Sequence, residues 1–341
     1  MTFEEKVKKN WDHISKPIDG FGEFESLYAK ISSIQKKDPC DLSHMKLIVF
    51  CADHGIVEEG VSQCDKDVTR LCAENIGKGL TSAGVMAKAL NVKIEAVDVG
   101  IDSDDRVPGT VFKRVARGTK NFLKANAMDP YECDLALVAG RERAKNAKDE
   151  GATILLSGEM GIGNTTSAAV VAGHLLRLFD IELSENELCG RGAGLSDKGL
   201  ERKRAVVRKA LSMYEKLPAI DAMRRFGGLE ILAMAGMMLE AKELNIPVIL
   251  DGMISQVSAL FAFCIEPGVS DILIPSHITK EPLCRAILDT LSLTPVLDAK
   301  MATGEGTGAL MLISLLRLSG EVYRKALKFG ESGVEQYERF K

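Results

Sequence analysis

The chain has 341 residues, of which 46% are apolar and 27% charged, and its formal net charge is −4 at pH 7. This composition is typical of a folded globular protein and excludes disordered, collagen-like and coiled-coil chains. The slightly acidic balance, without a block of lysine and arginine, argues against a nucleic-acid partner. The length predicts one large α/β domain with at most a small appendage.

Cysteine usage and hydropathy indicate the compartment. The eight cysteines form no C-x-x-C pair, and none combines with the five histidines at the spacing of a zinc site. We therefore expect reduced, mostly buried thiols and no metal. The charged N-terminus lacks the apolar stretch of a signal peptide, and the longest apolar runs are far shorter than the ~20 residues of a membrane helix. These features predict a cytoplasmic protein without a membrane partner.

The middle of the chain alternates strand-like and helix-like segments. Helical patterns begin at Asp129-Pro130, near Thr165 and at Leu229. Such alternation predicts a doubly wound, Rossmann-like parallel sheet with helices on both faces. The predicted strands are Leu47–Ala52, Ile94–Val99, Thr153–Ser157, Val248–Asp251, Asp271–Pro275 and, from a weaker pattern, Pro295–Asp298.

The two ends of the chain differ from this middle. Residues 1–42 and 306–341 have helical patterns without intervening strands. We expect them to pack together as a small helical domain beside a large α/β domain formed by residues 43–305.

Polar, glycine-rich clusters follow the predicted strands. Because the carboxyl ends of parallel strands form the ligand crevice of such sheets, these clusters predict one binding site built from many loops. The alternative is that Gly and Asp only form turns there. The clusters are Asp53-His54-Gly55, Gly100-Ile101-Asp102, Gly158–Asn164, Asp251-Gly252, Pro275-Ser276-His277 and Gly304–Gly308.

Two of the glycine-rich segments are suited to binding phosphate. Gly158–Asn164 precedes a predicted helix, whose free N–H groups attract anions, although its spacing matches neither common nucleotide-binding motif. Gly190-Arg191-Gly192 could also hold an anion. The basic helix that follows offers Lys203 as a phosphate partner, or else only a solvated charged face.

Glu159 and Glu305 lie in glycine-rich loops at the predicted crevice. Two carboxylates near a phosphate-binding loop suit chemistry at the anomeric carbon of a sugar, where a cationic transition state forms and a nucleophile loses a proton. Each alone could be an ordinary surface glutamate. His54 and His277 are alternative bases, or structural residues of their loops.

Together these motifs resemble the nicotinate-nucleotide:dimethylbenzimidazole phosphoribosyltransferases. The resemblance covers nearly the whole chain in the family's motif order, and the segment from Gly158 to Thr166 is its most specific part. The matching segments are Ala52–Ile56, Glu59–Ser62, Gly158–Thr166, Gly190–Gly192 with Lys203-Arg204, Asp251-Gly252, Pro275–His277 and Gly304–Ala309.

The resemblance implies transfer of the phosphoribosyl group of nicotinate mononucleotide to a lower-ligand base, with release of nicotinate. The product is an α-ribotide for the nucleotide loop of cobalamin-type corrinoids, so the anomeric centre inverts. The resemblance also implies a large Rossmann-like domain, a small helical domain from both termini and a dimer, and no metal or redox cofactor is expected.

The resemblance also assigns roles to individual residues. Glu305 matches the catalytic base, and Glu159 matches the second active-site carboxylate near the ribose. The residues matched to phosphoribosyl and nicotinate binding are Gly158, Gly161, Gly163, Asn164, Gly190, Gly192, Lys203, Ser276 and Thr279, and those assigned to the base pocket are Ser62, Cys64, Lys66 and Thr303.

The sequence departs from the family pattern in the base pocket. Most relatives have an aromatic residue, Pro and Gln where this chain has Cys64-Asp65-Lys66. An ammonium group at Lys66 favours an acceptor that becomes anionic, such as phenol or p-cresol. The alternative is a pocket that still takes benzimidazoles.

Some relatives that use phenols are heterodimers of two paralogues. A weakly catalytic subunit of such a heterodimer is therefore a second functional hypothesis, and a Rossmann dehydrogenase, which lacks support from a dinucleotide motif, is a third.

Overall fold

A computed structural model describes residues 1–65, 67–281 and 283–339. Its centre is a six-stranded, wholly parallel sheet with the order β3-β2-β1-β4-β5-β6. This order confirms the predicted doubly wound fold. The strands are β1 Met45–Ala52, β2 Lys93–Gly100, β3 Thr110–Phe112, β4 Ile154–Met160, β5 Val248–Leu250 and β6 Leu273–Pro275.

Helices cover both faces of the sheet. In chain order they are α1 Phe3–Asp12, α2 Glu23–Gln35, α3 Asp67–Gly77, α4 Ser82–Ala89, α5 Pro130–Asp149, α6 Asn164–Leu176, α7 Glu185–Leu188, α8 Asp197–Ser212, α9 Ala219–Phe226, α10 Leu229–Glu243, α11 Met253–Ile265, α12 Cys284–Thr290, α13 Thr307–Lys325 and α14 Phe329–Ser332. The predicted helix start at Pro130 is confirmed: the Asp129 side chain accepts the backbone N–H of Glu132, and the Glu132 side chain accepts that of Asp129.

One predicted strand is wrong and one strand was missed. Within Pro295–Asp298 only Leu297 pairs, in an isolated bridge with His277. None of the four residues is buried, so the segment lacks the packed face that holds a strand in a sheet. The missed strand, β3, has three residues at the sheet edge, none of them buried. A segment this short and exposed carries no hydrophobic periodicity to detect.

Alternate residues of β1 enter two separate core layers. Ile48 and Phe50 pack with helices α5, α6, α10 and α11, whereas Leu47 and Val49 pack with α1 to α4 and α13. All eight residues of β1 are buried. The central strand therefore has apolar side chains on both faces, as expected in a doubly wound sheet.

The helices α5 and α10, which share one layer, touch through glycine. A Cβ atom at Gly236 would lie 2.2 Å from the carbonyl oxygen of Leu137, and one at Gly140 would overlap that of Ala233. Only glycine permits such backbone contact, so these two positions bring α10 close to α5 above the sheet.

The chain ends meet around an aromatic cluster. The ring of Trp11 lies 5.7 Å from that of Tyr28 and 4.8 Å from that of Tyr323, and Ile14 pairs with Lys328 in an isolated bridge. The same hydrophobic cluster continues into one face of the sheet. The division into a 43–305 domain and a terminal helical domain stays a prediction.

The thiols agree with the expectation from the sequence. All eight cysteines are free; Cys64, Cys72 and Cys264 are partly exposed, and the others are buried. In the described part of the chain, no helix is both long and apolar enough to cross a bilayer.

Candidate active site

A cavity of about 330 Å³ opens at the carboxyl ends of the strands. Strand order reverses at β1, where β2 lies on one side and β4 on the other, and ligands bind at this point in doubly wound sheets. Eight of the residues assigned to the site from the sequence line this cavity: Cys64, Glu159, Gly161, Asn164, Gly192, Thr279, Thr303 and Glu305.

Glu159 projects into the cavity near the end of β4. The Nδ2 atom of Asn164 donates to its Oε2 atom at 2.5 Å. Burial raises the pKa of Glu159 to about 8; the negative charges of Asp251, Glu230 and Glu305 contribute to the rise, whereas the Asn164 hydrogen bond opposes it. At neutral pH the Glu159 carboxyl group therefore holds a proton in the ligand-free protein.

Glu305 lies in a stretch of left-handed backbone. Its φ angle is 59°, between 77° at Gly304 and 85° at Gly306. This conformation costs a non-glycine residue ~1–2 kcal/mol, and such residues concentrate at functional sites. The backbone N–H of Ala83, in the first turn of α4, donates to Glu305 Oε2 at 3.3 Å and thereby orients the carboxyl group.

The two glutamates share one wall of the cavity. A Cβ atom at Gly304 would lie 2.6 Å from Glu159 Oε1, and one at Gly158 would lie 2.9 Å from the carbonyl oxygen of Glu305. Glycine at both positions allows the Glu305 loop to rest directly on β4.

Asp251, at the end of β5, holds the Glu305 loop in place. Its buried carboxyl group accepts the backbone N–H of Gly306 at 3.0 Å and that of Gly308 at 2.7 Å, at the start of α13. Burial raises the pKa of Asp251, and His277 opposes that rise; burial also lowers the pKa of His277. Asp251 positions Glu305 through the main chain.

At the other end of the cavity, two backbone N–H groups converge on one carboxylate. Gly190 donates to Glu281 Oε2 at 2.8 Å, and Gly192 donates to Glu281 Oε1 at 3.0 Å. Behind them, Lys203 Nζ contacts Thr165 Oγ1 at 2.9 Å. Burial lowers the pKa of Lys203, and the Glu281 carboxylate opposes this. We call the Gly190 and Gly192 amides with Lys203 the anion nest.

The remaining residues assigned to the site do not line the cavity in the described ranges. Ser62 binds the backbone N–H of Cys64, and fully buried Ser276 contacts His277 Nδ1 at 2.8 Å. These two side chains therefore support neighbours that line the cavity. The others are Gly158, Gly163, Gly190 and Lys203, which are not among its lining residues, and Lys66, which lies outside the described residues.

A buried polar group backs the glycine-rich loop before α6. His54 contacts Glu230 Oε1 at 2.7 Å and Ser167 Oγ at 3.0 Å, and all three residues are essentially inaccessible to solvent. The ring of His54 is therefore a structural support, which answers the question that the sequence left open for this residue.

Several cavity residues were not assigned from the sequence. Asp251 and His277 stood in recognised strand-end clusters, but only the structure shows that Asp251 caps α13. Cys72 and Glu281 carried no detectable signal, because nothing in their local sequence indicates that they face the site. Burial raises the pKa of Cys72, and the negative charge of Glu305 adds to the rise.

Among the described residues, the acidic side chains close enough to share a cation are Asp12, Asp19 and Glu25. They lie outside the cavity, and the guanidinium of Arg339 already binds Asp12 at 2.9 Å and Asp19 at 2.8 Å. The positive charge of Arg339 therefore accounts for the close approach of these acidic side chains.

A cavity with paired carboxyl groups at one end and an anion nest at the other, at the switch point of a doubly wound sheet, is typical of enzymes that act on small phosphorylated molecules. Comparison with known proteins identifies the family of enzymes. The DBI_PRT family model, described as phosphoribosyltransferase, matches residues 1–334. The chain belongs to this phosphoribosyltransferase family and is therefore a pentosyl-transferring enzyme.

Curated relatives match over almost their entire length. The nicotinate-nucleotide–dimethylbenzimidazole phosphoribosyltransferase of Ruminiclostridium cellulolyticum is 35% identical, with 99% of each chain covered. The Thermus thermophilus protein of the same name is 37% identical, and the match covers 97% of this chain and 98% of that one. The crystal structure of CobT from Thermus thermophilus matches with a TM-score of 0.91 at 35% identity, over 98% of this chain and 99% of that one.

Proposed function

We propose that this chain transfers the phosphoribosyl group of nicotinate mononucleotide to a lower-ligand base. The products are nicotinate and an α-ribotide for the nucleotide loop of cobalamin-type corrinoids. The names of relatives that are 35% and 37% identical over nearly the whole chain support this reaction.

One structural observation carries the proposal. Glu159 and Glu305 line the same cavity as Gly192 of the anion nest, so a phosphorylated ribose bound there would lie between the carboxyl groups and the nest. A phosphate group in the nest would accept the N–H groups of Gly190 and Gly192, with the Lys203 ammonium behind them. Anchoring the phosphate there fixes the position of the anomeric carbon, which removes much of the entropic barrier to the reaction.

Transfer is a single displacement with inversion. A nitrogen or oxygen atom of the base forms a bond to C1′ while the bond from C1′ to the pyridinium nitrogen of nicotinate breaks. The electron pair of that bond neutralises the pyridinium, and Glu305 accepts the proton that the base loses. A positioned general base contributes about 10²–10⁴-fold to such a step.

Glu159 acts on the ribose side of the same centre. Because its pKa is raised to about 8, it is a hydrogen-bond donor at neutral pH and can bind a ribose oxygen. Asn164 fixes the orientation of its carboxyl group through the 2.5 Å contact with Oε2.

The choice of base is the finer part of the proposal. The cavity lining includes Cys64, Cys72 and Thr303 as well as Glu305, and the first three side chains are small and weakly polar. The proposed acceptors are benzimidazole-type bases and phenols, and Lys66 is the sequence feature that favours the phenols.

The proposal is tested by incubating purified protein with nicotinate mononucleotide and a mixture of dimethylbenzimidazole, adenine, phenol and p-cresol. Mass spectrometry should detect ribotides, with Glu305→Gln as the control that forms them far more slowly. The ratio of products identifies the base, and Lys66→Gln should lower the share of phenolic products. Absence of any ribotide and of nicotinate mononucleotide binding would overturn the proposal.

We also propose a dimer, as the family resemblance implies. Light scattering on the purified chain measures its mass directly. A chain that binds nicotinate mononucleotide but forms ribotide only after a paralogous chain is added would instead be one subunit of a heterodimeric transferase.

A further inference from the structure

The anion nest already holds an anion that belongs to the chain itself. The Glu281 carboxylate accepts both nest amides, one with each oxygen, at 2.8 and 3.0 Å. Two converging backbone N–H groups with a lysine behind them form a typical phosphate-binding arrangement. Under the proposed function, two oxygen atoms of the donor phosphate would bind the same two amides. The Glu281 carboxylate thus occupies their place.

The loop that carries Glu281 also contributes directly to the cavity. Glu281 follows β6, which ends at Pro275, and its backbone N–H donates to Thr279 Oγ1 at 3.1 Å. Thr279, Glu281 and Gly192 line the same cavity. A movement of the Glu281 side chain out of the nest therefore takes place at the wall of the cavity, next to Thr279.

A phosphate and the Glu281 carboxylate cannot both occupy the nest. Each amide has a single hydrogen to donate, and two anions in contact repel each other in a partly buried site. Lys203 keeps its hydrogen bonds to Thr165 Oγ1 at 2.9 Å and to the Gly190 carbonyl oxygen at 3.2 Å either way, and either anion offers its buried ammonium a nearby negative charge. Exchange of one anion for the other therefore leaves no group of the nest unsatisfied.

We propose that Glu281 is an internal competitor of the donor phosphate: its carboxylate fills the Gly190–Gly192 nest in the ligand-free protein and leaves when a phosphorylated ribosyl donor binds. This inference rests on the proposed function, since it takes the phosphate of the donor as the incoming anion. The competitor weakens binding of free phosphate, and donor binding displaces the Glu281 side chain from the nest.

The test measures phosphate binding directly. Titration calorimetry with inorganic phosphate and with ribose 5-phosphate compares the wild type with Glu281→Gln and Glu281→Ala. Removing the internal charge should lower both dissociation constants by about tenfold, as expected for the loss of a competing charge-assisted contact. In transfer assays, KM for nicotinate mononucleotide should fall while kcat changes little.

Glu266→Gln is the matched control. Glu266 also accepts a glycine N–H, that of Gly268 at 3.1 Å, and lies 3.2 Å from a lysine, Lys242, but it is not among the cavity residues. Its substitution should leave phosphate binding unchanged.

Equal or weaker phosphate binding by a folded Glu281→Gln protein would overturn the inference. So would a phosphate-soaked crystal of the wild type in which Glu281 still holds both amides. The calorimetric experiment does not require transfer, so a failure of the proposed function would show separately, as absence of ribotide from a protein whose phosphate binding responds as expected.

Discussion

The two ends of the cavity satisfy their polar groups in different ways. At the carboxylate end, Glu305 is fixed by its own left-handed backbone and by the Asp251 carboxyl group that accepts the amides of Gly306 and Gly308. At the nest end, two amides are satisfied by the side chain of Glu281, which comes from a separate loop.

Under the proposed function, this difference separates two tasks. The proposed reacting groups are held by main-chain geometry that does not depend on a ligand, which suits the positioning that catalysis requires. The proposed phosphate-binding groups are held by a contact that a ligand would replace. Substitutions at the carboxylate end should therefore lower kcat, and substitutions at the nest end should change the KM of the donor.

The largest expected effect is that of Glu305→Gln. The amide keeps an acceptor for the Ala83 N–H but cannot take up a proton, so kcat should fall about 10²–10⁴-fold with little change in donor affinity. Steady-state rates and calorimetric binding of nicotinate mononucleotide check this. A kcat within about tenfold of the wild type would remove Glu305 from the role of base.

Glu159→Gln should alter how stability depends on pH. Because the pKa of Glu159 rises to about 8 on folding from 4.5, folding favours the protonated form. This contribution is complete below about pH 4.5 and is lost as the pH rises through 8. The free energy of unfolding of Glu159→Gln, relative to the wild type, should therefore rise by about 3 kcal/mol between about pH 5 and pH 8.

Chemical denaturation at several pH values measures this difference. Glu243→Gln, at an exposed position, provides the control, and its difference should vary with pH much less than that of Glu159→Gln. A flat profile for Glu159→Gln would mean that the carboxyl group of Glu159 is ionised in the folded protein at neutral pH.

Asp251→Ala tests whether the carboxylate end is fixed through the main chain. Two amides at the start of α13 would lose their acceptor in a buried position, which should lower the free energy of unfolding by about 2 kcal/mol. The Glu305 loop would also lose its support, so kcat should fall while donor affinity stays. Urea unfolding and steady-state kinetics measure the two effects.

Asp129→Ala is a suitable comparison for Asp251→Ala. Asp129 also accepts an amide at a helix start, but it is exposed and does not line the cavity. Its loss should cost about 1 kcal/mol and leave kcat unchanged. An Asp251→Ala protein with normal kcat would show that Glu305 does not depend on this anchor.

At the nest end, Lys203→Met should raise the donor KM about tenfold and change kcat little, because a charge-assisted contact with phosphate is lost. The methionine side chain suits the buried position. Lys209→Met, on the exposed side of the same helix, should have no effect. Equal KM values for the wild type and both variants would exclude Lys203 from phosphate binding.

The sequence predicted one end of the cavity better than the other. Five strands and the glycine-rich clusters that follow them were recognisable, because buried strands and turn residues have strong local patterns. The position of Glu159 and Glu305 in a common cavity follows from these clusters and from the rule that ligands bind at the carboxyl edge.

The contacts between loops could not be predicted in this way. Glu281 reaches the amide of Gly190 across 91 positions of sequence, and Asp251 reaches that of Gly306 across 55. Such pairs depend on tertiary packing and leave no periodic signal. The short edge strand β3 was missed for a similar reason, since it is defined by its neighbour β2 and not by its own hydrophobicity.

A crystal structure with nicotinate mononucleotide bound tests the central claim most directly. We expect the phosphate to lie in the nest, where it accepts the N–H groups of Gly190 and Gly192, with Glu281 displaced and C1′ between Glu159 and Glu305. A phosphate bound elsewhere, or a ribose out of reach of both carboxyl groups, would contradict this claim.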